Sequence, residues 1–527
     1  MNARTAHIAA HALPALALLG ALLWLTSLLW PVALPGRIPA RLQCVSYAPF
    51  HQPGESPLLN DTHISRAHIE RDLALLAQHF SCVRTYSVAQ GLDQVPAIAA
   101  RDGMQVLLGI WIGPDARANA HEIAHAIAVA RTAPLGSIRA IVVGNEVLLR
   151  GDQPAGVLLA DLRNVHAATG LPVTYADVWD FWLRHPQLAP AVNFITVHML
   201  PYWDNRPVPV QDAVARVAAL TARVRTAFPG KPVFIGETGW PSAGRARRDA
   251  VPSRVNEAAY LRGFVAWAQA QHQRYSLIEA FDQPWKRALE GTVGGSWGIY
   301  DAQGRPKFAW HGPVQEDPDA WWALLPLLAG AALGSRRAGA RARTAGALAG
   351  AACGVALWAL ARMALAASWS PLQTAYWLAL LAGTLWISLA LLRALGQALR
   401  NAALPWPTLR RCAWVSLAVF VYISLLLVAD GRYRDWPLPA LWPPALGLAL
   451  LRALAGRPLL HGPRAIALGL AALLLPALGV LQEAGRNPYA WCWLGGGLLL
   501  AMLVVGRADG SNSKPPTSTA SAPDCGL

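Results

Sequence analysis

The sequence predicts an α/β protein: a (β/α)8 TIM barrel preceded by one transmembrane helix and followed by an α-helical multi-span segment. Three observations lead there. Short apolar strands alternate with amphipathic stretches from Gln43 to Glu316, eight βα units over about 270 residues, close to the size of such a barrel. Polar and aromatic residues gather at the carboxyl ends of those strands, the face on which barrel sites are built. The 527-residue chain is also 54% hydrophobic and only 14% charged. That balance does not suit one soluble globule, and its apolar runs concentrate at the two ends.

Residues 1–30 comprise a stub carrying Arg4 and an apolar run, Ile8–Trp30. The run exceeds the ~7–15 residues of a signal-peptide core and approaches the ~20 needed to span a bilayer. No small-x-small cleavage site follows, so an uncleaved anchor with its amino end inside is expected. Residues 31–40 are a Pro-rich linker.

Residues 41–316 hold the barrel. Its expected strands are Gln43–Phe50, Cys82–Ser87, Gln105–Gly113, Ala140–Glu146, Pro172–Val178, Asn193–Met199, Pro232–Thr238 and Leu277–Trp285. Helices are expected at Thr62–His79, Ala118–Arg131, Val208–Phe228 and Ser253–Gln271. An open doubly wound sheet would need a glycine-rich phosphate turn after its first strand, and SYAPFHQPG has none.

Residues 317–506 contain about seven further apolar runs, making about eight spans with the anchor. The Arg-bearing loops Arg336–Arg343, Arg393–Arg411 and Arg452–Arg464 are expected inside. The poorer loops Ala367–Pro371, Asp430–Pro437 and Gln482–Pro488 then lie outside, with the barrel. Residues 507–527, rich in Ser, Pro and Thr, are expected to be a disordered cytoplasmic tail. The net charge of +15 is thereby explained by topology. No DNA- or RNA-reading motif accompanies it, so nucleic acid is excluded as a partner.

The chemistry concentrates in two strands of the same shape. Pro232–Ser242 reads PVFIGETGWPS and Ala140–Glu146 reads AIVVGNE. Each apolar strand runs into glycine and then an acid. A carboxylate buried at a strand end costs several kcal/mol unless paired, so Glu146 and Glu237 point to acid/base or nucleophilic work.

A rival signal is HEIAH at His121–His125, which satisfies the H-E-x-x-H zinc pattern on a predicted helix. The barrel order makes that helix an outer one, away from the strand ends, where a solvated face is expected. No C-x-x-C pair exists among the six cysteines, and neither metal nor cofactor is expected. Cys44 and Cys82 begin neighbouring strands; outside the cytoplasm they form a disulfide, or else they are two adjacent buried thiols.

The segments GNEV (Gly144–Val147), GETGWPS (Gly236–Ser242) and FDQPWK (Phe281–Lys286) resemble the signatures of glycoside hydrolase family 17. CVSYAPF and CVRTYS resemble its bacterial, membrane-anchored branch, labelled β-(1,6)-glucan synthases or β-1,3-glucan transferases. The resemblance covers about Gln43–Gly312, half the chain. It implies a retaining barrel with Glu146 as general acid/base and Glu237 as nucleophile. Asn145 would bond the sugar 2-hydroxyl, and Tyr202 would orient Glu237. Tyr47, Tyr86, Trp240 and Trp285 are candidate flat faces for glucose rings, with Trp111, Trp179, Trp203 and Trp297. Arg84, His198, Asp282 and Lys286 are polar lining candidates, and Glu279 binds substrate or holds Lys286.

The expected protein is a bacterial inner-membrane glucanosyltransferase with a periplasmic barrel acting on β-1,3-glucan, making elongated or β-1,6-linked product. Its expected partners are the glucan and the lipid bilayer, with a glucan synthase as a further candidate. An endo-β-1,3-glucanase is the alternative. A zinc protease and a non-catalytic glucan sensor rank lower, the latter because both acids are present.

Overall fold

The computed structural model describes residues 3–504, so the expected tail at 507–527 lies outside the described residues. Eight parallel strands close a barrel in chain order: β1 Leu42–Ser46, β2 Phe80–Arg84, β3 Gln105–Ile110, β4 Ile138–Asn145, β5 Val173–Val178, β6 Ile195–His198, β7 Val233–Thr238 and β8 Arg274–Leu277. Alternation builds two cores. On β3, Val106, Leu108 and Ile110 face the outer helices, while Leu107 points inward to meet Cys44, Cys82, Val142, Ala176 and Phe234.

Strand eight differs from the sequence expectation of Leu277–Trp285. A ladder needs partners, and its neighbours β1 and β7 end at Ser46 and Thr238. The chain after Leu277 instead folds over the barrel end, with the Ala280 amide donating to Ser46 O at 2.9 Å and Phe281 bridging Tyr300.

Cys44 and Cys82 are register partners on β1 and β2, and a disulfide joins them. At a sequence separation of 38 the loop-entropy model gives such a link about 4 kcal/mol.

The helices are α1 Ala3–Leu29, α2 Arg66–Leu76, α3 Val95–Arg101, α4 Ala116–Thr132, α5 Val147–Arg150, α6 Ala155–Thr169, α7 Trp179–Arg184, α8 Val210–Ala227, α9 Arg254–Ala270 and α10 Arg287–Gly294. Ser65, Asp115 and Ser253 cap α2, α4 and α9 by accepting from first-turn amides. The apolar half follows as α11 Leu324–Ala338, α12 Arg343–Ala367, α13 Pro371–Leu399, α14 Trp406–Ala429, α15 Leu438–Ala455, α16 Pro463–Gln482 and α17 Pro488–Ala501.

Among the described residues six helices are long and apolar enough to cross a membrane: α1, α12, α13, α14, α15 and α16. The sequence expectation was about eight; α11 and α17, at 15 and 14 residues, are shorter. Glycines let α11 and α12 touch backbone to backbone: a Cβ on Gly334 would stand 2.0 Å from Gly346 O.

The turns after α14 and α16 rest on the loops that follow β7 and β8. Arg245 donates to Glu483 Oε1 at 2.7 Å and to Arg434 O at 2.8 Å. Asn487 Nδ2 donates to Ala246 O at 2.8 Å, and Thr292 bonds Asp435.

Candidate active site

Two strand ends deliver the acids. On β4, Gly144 takes φ +82° and Glu146 itself takes φ +52°, a left-handed conformation costing a non-glycine residue on the order of 1–3 kcal/mol. Its amide donates to Ala176 O at 2.8 Å, and its carbonyl accepts from Arg150 N at 2.9 Å as α5 begins. The side chain is left 25% exposed. On β7, Gly236 precedes Glu237, and a Cβ there would lie 2.5 Å from Thr196 Cγ2 and 3.3 Å from the His198 ring. That glycine lets β6 bring His198 in beside Glu237.

Glu237 is the buried acid. Arg84 Nη1 lies 2.8 Å from its Oε1, and the Tyr86 hydroxyl donates to the same oxygen at 2.8 Å. Burial pushes its carboxyl pKa up, but His198, the Arg84 charge, the Tyr86 bond and Lys286 outweigh that, and the group sits below its ordinary value. His198 Nδ1 stands between the acids, 3.1 Å from Glu146 Oε1 and 3.4 Å from Glu237 Oε2. Oxygens of the two carboxyls and that nitrogen all lie within 4.8 Å of one another. Oxygens this close fit the double-displacement arrangement, in which the carboxyls stand about 5–5.5 Å apart.

Arg84 also donates to the Asn145 side-chain oxygen, so the predicted Arg84, Tyr86, Asn145, Glu146, His198 and Glu237 form one connected cluster. Lys286 enters through Glu279, whose oxygens accept from Nζ at 3.0 and 2.8 Å. Burial raises Glu279 to about 7, despite that pairing. Trp285 is half-buried beside Lys286, its ring 5.9 Å from Nζ.

Four expected site residues are placed elsewhere. Tyr202 is fully buried and its hydroxyl donates to Arg245 O at 2.6 Å, so Tyr86 takes the place beside Glu237 that Tyr202 was expected to fill. Tyr47 is buried with its hydroxyl on Asp72. Trp240 is core, donating to Val251 O at 3.0 Å and packed edge-on to Tyr202. Asp282 accepts from Lys307 at 3.0 Å and from Gly298 N at 2.9 Å. Each side chain turns inward to satisfy a buried polar group, a demand that outweighs its place near a strand end.

Two contributors went unread. Asp177, at the end of β5, accepts from Tyr175, Leu149 N and Val178 N, anchoring the turn that carries Glu146. Its burial raises it to about 6. The signal was available, since PVTYADV also runs into an acid. Arg150 donates to Asn145 O and Ile112 O and lies 4.4 Å over the Trp111 ring. That ring is 42% exposed at the end of β3 and offers a flat face. The HEIAH pattern dissolves: Glu122 is buried and accepts from Ser87 Oγ and Val88 N, while His121 is exposed. A cavity of about 1550 Å³ lies between the apolar helices and the barrel, and neither catalytic candidate lines it.

An eight-stranded barrel with two carboxyls converging at its carboxyl end is the architecture of a glycosidase-type enzyme. Residues 44–298 match the family model of the BtgE/BtgC glycoside hydrolase domain, and this part of the chain is a glycoside hydrolase domain. Among curated relatives, a glucan 1,3-beta-glucosidase of Candida albicans is 27% identical over 264 residues, 46% of this chain and 85% of the relative. One of Arthroderma benhamiae is 28% identical over 261 residues, 46% and 84% of the two chains. A probable beta-glucosidase of Aspergillus flavus is 26% identical over 277 residues, 51% of this chain and 44% of its own. Of solved structures, the family 17 β-1,3-glucanosyltransferase of Rhizomucor miehei aligns over 52% of this chain and 97% of its own, at 24% identity and TM-score 0.45.

Proposed function

We propose that the protein is a membrane-anchored β-1,3-glucan glucanosyltransferase acting by retaining double displacement. The observation that carries this reading is the Glu146–His198–Glu237 cluster, with one acid buried and held below its usual pKa and the other partly open. The relatives named for 1,3-β-glucan support the substrate class.

In the first step Glu237 attacks the anomeric carbon as the glycosidic C–O bond breaks, and the Glu146 carboxyl passes its proton to the leaving oxygen. In the second, the Glu146 carboxylate takes a proton from an acceptor hydroxyl, whose oxygen displaces Glu237. A proton on His198 Nδ1 serves either carboxylate. Arg84 and Tyr86 favour the charged form of Glu237, and Trp111 offers a platform for a sugar ring. A sugar acceptor gives transfer, elongating or forming a β-1,6 link; water gives hydrolysis.

The apolar helices anchor the barrel in a bacterial inner membrane with the barrel periplasmic, in keeping with the disulfide on β1 and β2 and the Arg-rich loops at the far ends of the helices. A glucan synthase in the same membrane is the natural supplier of substrate.

The test is full-length protein in detergent, incubated with short β-1,3-gluco-oligosaccharides and followed by mass spectrometry. Products longer than the starting sugar are expected, with NMR assigning their linkage. Only shorter products would make it an endo-β-1,3-glucanase, and no turnover with binding intact would overturn the enzymatic reading.

A further inference from the structure

A second cluster lies away from the two catalytic acids. His51 is on the loop after β1, and His68 and Asp72 stand one turn apart on α2, so they share a face. All three are buried, at 4%, 5% and 6% exposure. His51 Nε2 is 3.1 Å from His68 Nε2 and 3.1 Å from Asp72 Oδ2, and His68 Nε2 is 3.4 Å from that same oxygen.

The outer ring nitrogens fix the chemistry of the inner ones. His51 Nδ1 faces Ala302 O at 2.8 Å, and His68 Nδ1 faces Glu55 Oε1 at 3.4 Å. Carbonyl and carboxylate only accept, so these two contacts call for protons on Nδ1 and turn the Nε2 lone pairs inward; the Gln52 amide also lies 3.2 Å from His51 Nδ1. Two bare nitrogens and a carboxylate oxygen thus converge on one point. A single proton, on His51 Nε2 for example, is shared with at most two of the contacts and leaves the third uncompensated. A cation relieves all three at once. Tetrahedral bonds of 2.0–2.1 Å space their ligands about 3.3 Å apart, which is the spacing found.

We infer that His51 Nε2, His68 Nε2 and Asp72 Oδ2 bind a divalent cation of the zinc type. The surroundings have the form of an outer ligand shell: Ala302 O and Glu55 orient the imidazoles, and the Tyr47 hydroxyl, 2.9 Å from Asp72 Oδ2, orients the carboxylate. The His51 ring also stacks on Phe281 at 4.4 Å. The ion joins α2, the β1 loop and the turn at Ala302, and through Phe281 it braces the segment that carries Lys286. Its role is structural. The site is distinct from HEIAH, whose glutamate faces the barrel loops.

The experiment uses full-length protein carrying a tag without histidine, loaded with ZnCl2 and exchanged into metal-free buffer. Elemental analysis should find about one zinc per chain, and chelation should lower the unfolding temperature, restored by zinc. Asp72→Asn, which keeps the shape, should lose most of the zinc, while His121→Ala with His125→Ala should keep it. Cobalt-loaded wild-type protein should show the intense visible bands of a tetrahedral site, a readout needing no variant. Less than about a tenth of an equivalent of zinc in folded wild type, or equal zinc in the Asp72→Asn protein, would overturn the assignment.

Discussion

Arg84 Nη1 lies 2.8 Å from Glu237 Oε1 and, in the same reach, 3.0 Å from Gly236 O. A guanidinium from β2 therefore crosses the barrel mouth to hold an acid on β7 in its charged form. The pair is almost dry, at 1% and 6% side-chain exposure, so solvent screens it little.

Removing either acid separates their roles. Glu237→Gln should abolish glucan turnover while the barrel still folds, at a lowered unfolding temperature because the buried Arg84 guanidinium loses its counter-charge. Glu146→Gln should lower kcat by about 10²–10⁴. Full activity in Glu237→Gln protein would end the double-displacement mechanism.

The acid limb of kcat/KM against pH should report Glu237 in the free enzyme. Its carboxyl is held low, so activity requires the ionised form and fails as pH drops through that value. Tyr86→Phe removes one stabilising bond and should move the limb upward by about one unit. A limb that stays in place would assign it to another group.

Stability should depend on pH through Glu257. This buried acid shares Lys307 with Asp282, at 3.2 and 3.0 Å from Nζ, and burial raises it to about 8. The folded state holds a proton that the unfolded chain has lost above about 4.5. That contribution is complete below pH 4.5 and declines as pH rises towards 8. Glu257→Gln should flatten the fall in unfolding temperature over this window; an unchanged slope would remove Glu257 as its cause.

The seam between barrel and helices should be sensitive at Arg245 and Glu483, buried at 4% and 11% side-chain exposure. Losing one partner of such a pair costs about 3–5 kcal/mol. Arg245→Met should therefore lower the unfolding temperature and expose Arg247 and Arg248 to trypsin, while Arg245→Met with Glu483→Met should recover part of the loss. Equal trypsin rates in wild type and Arg245→Met would mean the loop is held by its other contacts.

Topology can be checked independently. A reporter fused after Ala429 should appear on the barrel's side of the membrane, and one after Asn401 on the opposite side. Both on one side would break the alternation read from the arginines.

Much of this site was legible because strand, glycine and acid occur together at Glu146 and again at Glu237, and a barrel brings such ends to one face. The same rule reaches Asp177, the acid near the end of β5. Side-chain direction in loops was not legible. Tyr202 and Tyr86 both follow strands, but only contact decides that one bonds Arg245 O and the other Glu237. Strand eight misled for a related reason: LIEAF has a strand's apolarity, but the length of a barrel strand is set by neighbours distant in sequence.

The barrel's carboxyl-end loops sit on turns of the apolar half, with Arg245 and Ala246 each spoken for by a partner more than two hundred residues away. The two halves are therefore not exchangeable parts. A soluble barrel grafted onto these helices would have to supply a cation where Arg245 stands and an open carbonyl where Ala246 stands. Without them Glu483 and Asn487 would be stranded, and the graft would inherit a fault line beside its own catalytic cleft.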